Sequence, residues 1–262
     1  MSFSRIRAII LQELFITRRS LEVIVDLPYF SVQTIVVFGF FSLFLSGTSH
    51  LSSANYLILG LLLWEIIRIV QYSISVAVLW NIWSRNLSNM FITPLTIKEY
   101  FIAQMLSGII KTIVIFSVIS VIASLLFKFN ILSVGLINLI LFFINLTFFG
   151  WSVGIIIVGT IFRFGTRIQS LAWGLVFIFQ PLTASLFPVK ILPPFFQAIA
   201  YMLPPTYVFE AARASLADPS VKWEYMGIAF IQNIIYLLLS LWLFNIMFNK
   251  SKETGQFAKN EG

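Results

Sequence analysis

Glu65 and Arg68 stand three residues apart in an otherwise apolar run, LLLWEIIRIV. On a helix that spacing puts both side chains on one face, within reach of each other. Lys111 sits alone in a second apolar run, GIIKTIVIF. Charges at such depth in a hydrophobic stretch are costly and face protein or water. They therefore belong either to a translocation path with a moving ion-pair network, or to static pairs that lock helix packing. A proton relay has less support, because Glu65 is the one acidic residue well inside an apolar run. Glu210 and Arg213 repeat the three-residue spacing just after Pro204 and Pro205, where a pair on a helix surface near the headgroups is expected.

Other chemistries lack their residues. There is no cysteine, and the single histidine, His50, lies in a short loop without partner ligands, so no metal centre is expected. The sequence contains no G-x-x-x-x-G-K-[ST], no H-E-x-x-H and no G-x-S-x-G, which leaves no P-loop ATPase, zincin or serine hydrolase. No catalytic residue and no cofactor site is expected in this chain.

The elements that position these charges follow from composition. The 262 residues are 59% hydrophobic and 10% charged, with mean hydropathy +0.96. Soluble domains carry about 25% charged residues, so the expected fold is an all-α membrane protein in one domain. Apolar stretches near 29–46, 55–80, 100–127, 131–162, 168–187 and 225–248 each approach the roughly 20 residues a spanning helix needs. The fourth is long for one crossing and either tilts or runs on toward Arg163. It also carries Gly150 and Gly154, a spacing that lets another helix come close, within the chain or across a subunit boundary.

Ahead of these spans, residues 1–28 read as an amphipathic interfacial helix. Phe3, Ile6, Ile10, Leu14, Leu21 and Ile24 recur at helical spacing, opposite Arg5, Gln12, Arg19 and Asp26, and Pro28 marks the bend into the membrane. No cleavable signal peptide is expected, since this stretch is charged throughout. The transmembrane domain runs over 29–249, and 250–262 forms a polar tail. With the N-terminus inside, eleven of the 17 Lys and Arg fall on cytoplasmic segments and four outside, which places both termini in the cytoplasm. The +7 charge is then a cytoplasmic rim facing membrane lipids rather than a nucleic-acid surface.

Two segments between spans have designs of their own. In NIWSRNLSNMFITPLTIKEY, residues 81–100, Trp83, Leu87, Met90 and Phe91 give a short helix one apolar edge, and Pro94 ends it. Such a helix either docks in the groove of a soluble partner or rests on lipid. In residues 179–218, Pro181, Pro188, Pro193, Pro194, Pro204 and Pro205 forbid one straight helix in a stretch apolar enough for a membrane. The broken backbone must be satisfied by protein or by a wet cavity. A helix ending near Phe187 followed by short helices dipping back into the outer leaflet meets that demand.

Over almost its whole length the chain resembles the membrane-spanning (permease) subunit of ABC exporters of the type 2 class. LPPFFQAIAYMLPPTYVFEAARASL, residues 192–216, is similar to the family's Leu-Pro, apolar helix, Pro-Thr-Tyr-like turn and alanine-arginine helix; FITPLTIKEYFIAQML, residues 91–106, looks like its passage from coupling helix into span three. Arg85 to Asn89 stand where drug-exporting members carry a Gly-Thr-Leu-Glu-like sequence. The segment from Thr17 to Pro28 matches polysaccharide-exporting members poorly. The resemblance implies six spans, a coupling helix near 83–94 that docks a partner through Trp83, Arg85, Leu87, Met90, Phe91 and Pro94, and a re-entrant exit element near 188–217 containing Pro193, Pro194, Pro204, Pro205, Glu210 and Arg213. It also implies an ABC ATP-binding subunit that holds ATP and magnesium, and a second copy of this chain or a related permease. The setting would be the plasma (inner) membrane of a prokaryote. The implied activity is export of a lipid-like, glycolipid or polysaccharide, or hydrophobic drug-like substrate by alternating access. The alternative is a stand-alone secondary transporter using Glu65, Arg68 and Lys111.

Overall fold

A computed structural model describes residues 1–46 and 51–255, apart from the side chains of residues 45, 46, 51–53, 87, 88 and 91. His50 and the end of the polar tail lie outside the described residues. Every regular element among those described is helical: α1 (Phe3–Arg19), α2 (Leu21–Ile24), α3 (Phe30–Ser46), α4 (Leu51–Trp83), α5 (Leu87–Ile92), α6 (Ile97–Phe127), α7 (Leu136–Phe164), α8 (Leu171–Leu182), α9 (Pro194–Tyr201), α10 (Pro204–Ser215) and α11 (Trp223–Glu253). Among the described residues, five stretches are long and apolar enough to cross a membrane: Leu21–Phe44, Ala54–Trp83, Ile97–Phe127, Leu136–Phe164 and Trp223–Glu253.

The molecule is built around α4. Every residue from Ile58 to Leu79 is buried, because α3, α6, α7, α8 and α10 all pack on it. A helix covered on all sides needs close approach, and glycines on its neighbours supply it. A Cβ on Gly150 would stand 3.1 Å from the Ile67 carbonyl, and one on Gly154 3.1 Å from Ile74 Cβ. The Gly150/Gly154 pair thus serves packing inside the chain. Outer faces of α3, α6 and α11 expose Phe41, Phe44, Val121, Leu125, Leu238 and Trp242, a surface suited to lipid.

Three boundaries differ from the sequence expectation. The entry helix does not run to Pro28: the chain breaks at Ser20, which is extended and caps α2 with its side chain. Pro28 lies instead within a helix running from Leu21 to Phe44, where a π-turn over Val25–Tyr29 absorbs its missing donor. The apolar face of α1 is also split. Ile6 and Ile9 turn inward with Glu13, whereas Phe3, Leu11 and Phe15 face outward. The fourth run begins as a 3-10 turn over Ile131–Val134, and the spanning helix starts only after Gly135, whose φ of 89° glycine adopts without strain.

The expected span near 168–187 contains a helix of 12 residues, α8. At 1.5 Å per residue that is about 18 Å, short of the roughly 30 Å hydrocarbon core. The break follows the prolines. Pro181 ends α8, while Pro194 and Pro204 open α9 and α10 at a position where a missing N–H costs nothing.

Candidate functional site

The first charged site joins α4 to the π-turn. Pro28 and the π-turn leave helical carbonyls short of partners, and Arg68 supplies them: its Nη1 donates to the Asp26 carbonyl at 3.3 Å and its Nη2 to the Leu27 carbonyl at 3.2 Å. The same guanidinium closes an ion pair on Glu65, Nη2 to Oε2 at 2.6 Å and Nε to Oε1 at 3.1 Å. The single Ser31 hydroxyl proton lies within reach of both Glu65 and the Leu27 carbonyl, while its oxygen accepts from Arg68 Nη2 at 2.6 Å. Asp26 lies next to this network, accepting from the Tyr72 hydroxyl at 2.9 Å and the Trp173 indole at 3.4 Å. The shared face expected of Glu65 and Arg68 is present, and it borders a cavity of about 350 Å³ between α3, α4 and α8.

Lys111 has a partner that its own surroundings in the sequence did not reveal. Its Nζ lies 3.5 Å from Glu13 Oε2, and Gln104 Nε2 donates to Glu13 Oε1 at 3.0 Å. All three side chains are buried between α1 and α6. Glu13 shares the face of Ile6 and Ile9, so a carboxylate inside a helix's apolar stripe was the available signal.

At the start of α6, Thr96 and Glu99 form a capping box. Glu99 also receives the Ser2 amide at 2.6 Å and the Arg5 guanidinium at 2.7 Å. The N-terminal end of α1 is thereby stapled to the first turn of α6, directly after α5. Around α5, Met90 turns inward and is only 8% exposed, so it cannot present itself to a partner without rearrangement. Trp83 is half-exposed, but its indole donates to Gln169 at 3.2 Å and its ring stacks on Trp173 at 6.1 Å. The side chains of Leu87 and Phe91 lie outside the described residues. Among the described side chains, this corner exposes Trp83, Ser84, Arg85, Asn89, Ile92, Thr93 and Pro94.

The third site is the clamp on the broken segment. Arg213 Nη2 pairs with Glu210 Oε1 at 2.7 Å, and its Nη1 donates to the Ala184 carbonyl at 3.0 Å. Glu210 in turn accepts from the Val189 amide at 2.9 Å. Ala184, with φ of 49°, occupies the left-handed region that non-glycine residues avoid. Arg213 is buried rather than spread on a helix surface, and it satisfies backbone freed by the turn after α8. That turn presses on α4, where the Ser185 carbonyl would stand 2.0 Å from a Cβ at Gly60. Pro193 is an extended N-cap, and Pro204 and Pro205 are buried in the first turn of α10. Beyond this clamp, Lys222 and then Ser220 hold the exposed Asp218 carboxyl below the usual carboxylate range.

No group of three or more His, Cys, Asp or Glu that could hold a metal occurs among the described residues. No protein-family model matches the chain, and no curated protein matches it.

Proposed function

We propose that this chain is the membrane-spanning subunit of an ATP-driven exporter of the ABC type 2 class. It would pair with a second copy of itself or a related permease and be driven by separate ATP-binding subunits. The observation that carries the reading is the stapled corner. Phe3, on the helix that Glu99 staples to α6, and Ile92, at the end of α5 just before α6, are large apolar side chains, each 82% exposed. Exposed apolar side chains at these helix ends suit a soluble partner's groove. The chain has no P-loop, so any ATP-driven motion must enter from such a partner.

In this reading both termini face the cytoplasm of a prokaryotic cell. Partner closure pushes on α5 and α1, and the Glu99 staple together with Glu13–Lys111 transmits the push to α6. The short α8, completed by the turn after it, is the fifth of six crossings. Residues 188–217 then form the re-entrant element that shapes the exit. A lipid-like, saccharide-bearing or drug-like substrate would move by alternating access between inward-facing and outward-facing states. A stand-alone secondary transporter has weaker support, because Glu65, Arg68 and Lys111 are each already neutralised by a fixed partner.

The test is co-expression with candidate ABC ATP-binding subunits, co-purification, and measurement of ATP hydrolysis. Ile92→Asp leaves the core untouched and is expected to cut permease-stimulated hydrolysis about tenfold, as losing an interface anchor does. An unchanged complex with unchanged stimulation would sink the docking role.

A further inference from the structure

The cavity beside Glu65 and Arg68 is not isolated. A vestibule of about 550 Å³ lined by Glu22, Asp26, Trp80, Trp83 and Trp173 opens next to it, and the two share Asp26 and Trp173. We propose that these two adjoining spaces together bind an amphiphilic organic cation.

Charge decides the sign of the ligand. Arg68 is the one cation in the two linings, and its guanidinium is engaged by Glu65, Ser31 and the carbonyls of Asp26 and Leu27. Asp26 receives only neutral donors, Tyr72 and Trp173. Glu22, at the mouth, has no cationic partner among the described residues. Three carboxylates against one guanidinium leave the space negative, and an anionic headgroup entering it would meet repulsion.

The walls decide the rest. Trp83 lies nearly parallel to Trp173, at 14°, and Phe30 and Phe177 continue the aromatic lining inward. Aromatic faces beside a carboxylate attract cations whose charge is spread over an apolar body. Trp64 forms part of the inner wall. The volume of about 350 Å³ suits a small organic molecule. Calling this cation the exported species rests on the exporter reading; binding it does not.

The experiment uses the purified full chain in lipid nanodiscs. Rhodamine 6G, a cation with ester oxygens, is titrated by fluorescence polarisation. Fluorescein serves as the anionic counterpart, and tetraphenylphosphonium, a cation without oxygen, as competitor. Rhodamine 6G and tetraphenylphosphonium are expected to bind and fluorescein not. Asp26→Asn keeps acceptors for Tyr72 and Trp173 and is expected to weaken both cations about tenfold, the scale of a lost charged partner. Binding indifferent to Asp26→Asn, or equal binding of fluorescein, overturns the site. Adding the co-purified ATPase separates this site from the exporter reading. Cation binding with no stimulated hydrolysis upholds the site and sinks the exporter. Stimulation by rhodamine 6G that ignores Asp26→Asn sinks the site and upholds the exporter.

Discussion

Glu65–Arg68 and Glu210–Arg213 are the same device used twice. In each, a carboxylate and a guanidinium three residues apart pair at 2.6–2.7 Å, and the arginine reaches on to carbonyls freed where a neighbouring element breaks. For Arg68 the break is the π-turn at Pro28, and for Arg213 it is the turn after α8. Their surroundings differ. The first pair borders a cavity, whereas the second sits where backbone presses on backbone, with Ser185 against Gly60. One clamp leaves room beside it, and the other allows none. The first is therefore suited to ligand and the second to rigidity.

Replacing the arginine by methionine in each clamp tests that contrast most strongly. Arg213→Met strands the Ala184 carbonyl in a tight site and is expected to cost about 3–5 kcal/mol, as breaking a buried pair does. Arg68→Met leaves Glu65 beside a space that admits water, so the cost should fall to about 1–3 kcal/mol. Thermal unfolding of both variants in nanodiscs reads the difference, and equal losses would break the comparison. Gly60→Ala comes next. Its Cβ has nowhere to go against the Ser185 carbonyl, and about 1–3 kcal/mol of overpacking is expected by the same measurement. The smallest effect sharpens the reading by its sign. A Cβ added at Gly174, in α8, would meet nothing within 4 Å. Gly174→Ala should therefore stabilise by about 0.5–1 kcal/mol through helix propensity alone, and a lowered unfolding temperature would contradict that.

The long helices were legible in the sequence because a spanning run is a local signal. The runs expected near 55–80, 100–127 and 225–248 became α4, α6 and α11; α4 and α11 are extended by a few residues at both ends and α6 at its start alone. The Glu65–Arg68 pair was legible for the same reason, since three residues of one helix settle its geometry. What escaped were partners distant in sequence. Lys111 read as solitary because Glu13 lies in another element and was hidden within a stripe read as apolar or interfacial. The depth of Arg213 escaped too, because its targets are carbonyls, and any residue type carries a carbonyl. Met90 read as an outward edge residue because the helical pattern of α5 cannot say which side its neighbours cover. The π-turn was hidden by a proline that ordinarily marks a helix boundary but is accommodated here inside one.

The position of each charged partner along the chain bears on biogenesis. Glu65 and Arg68 are on one helix, so they can neutralise each other as soon as α4 forms, before any neighbour has arrived. A lone Arg at the centre of a crossing costs about 2.5–3.5 kcal/mol at the insertion machinery, and a pair carried by the segment itself lowers that barrier. Lys111 has no such companion on α6; its counter-charge is on α1, which is made first and must already lie alongside when α6 enters the bilayer. The central helix can enter on its own terms, while α6 depends on the order of assembly.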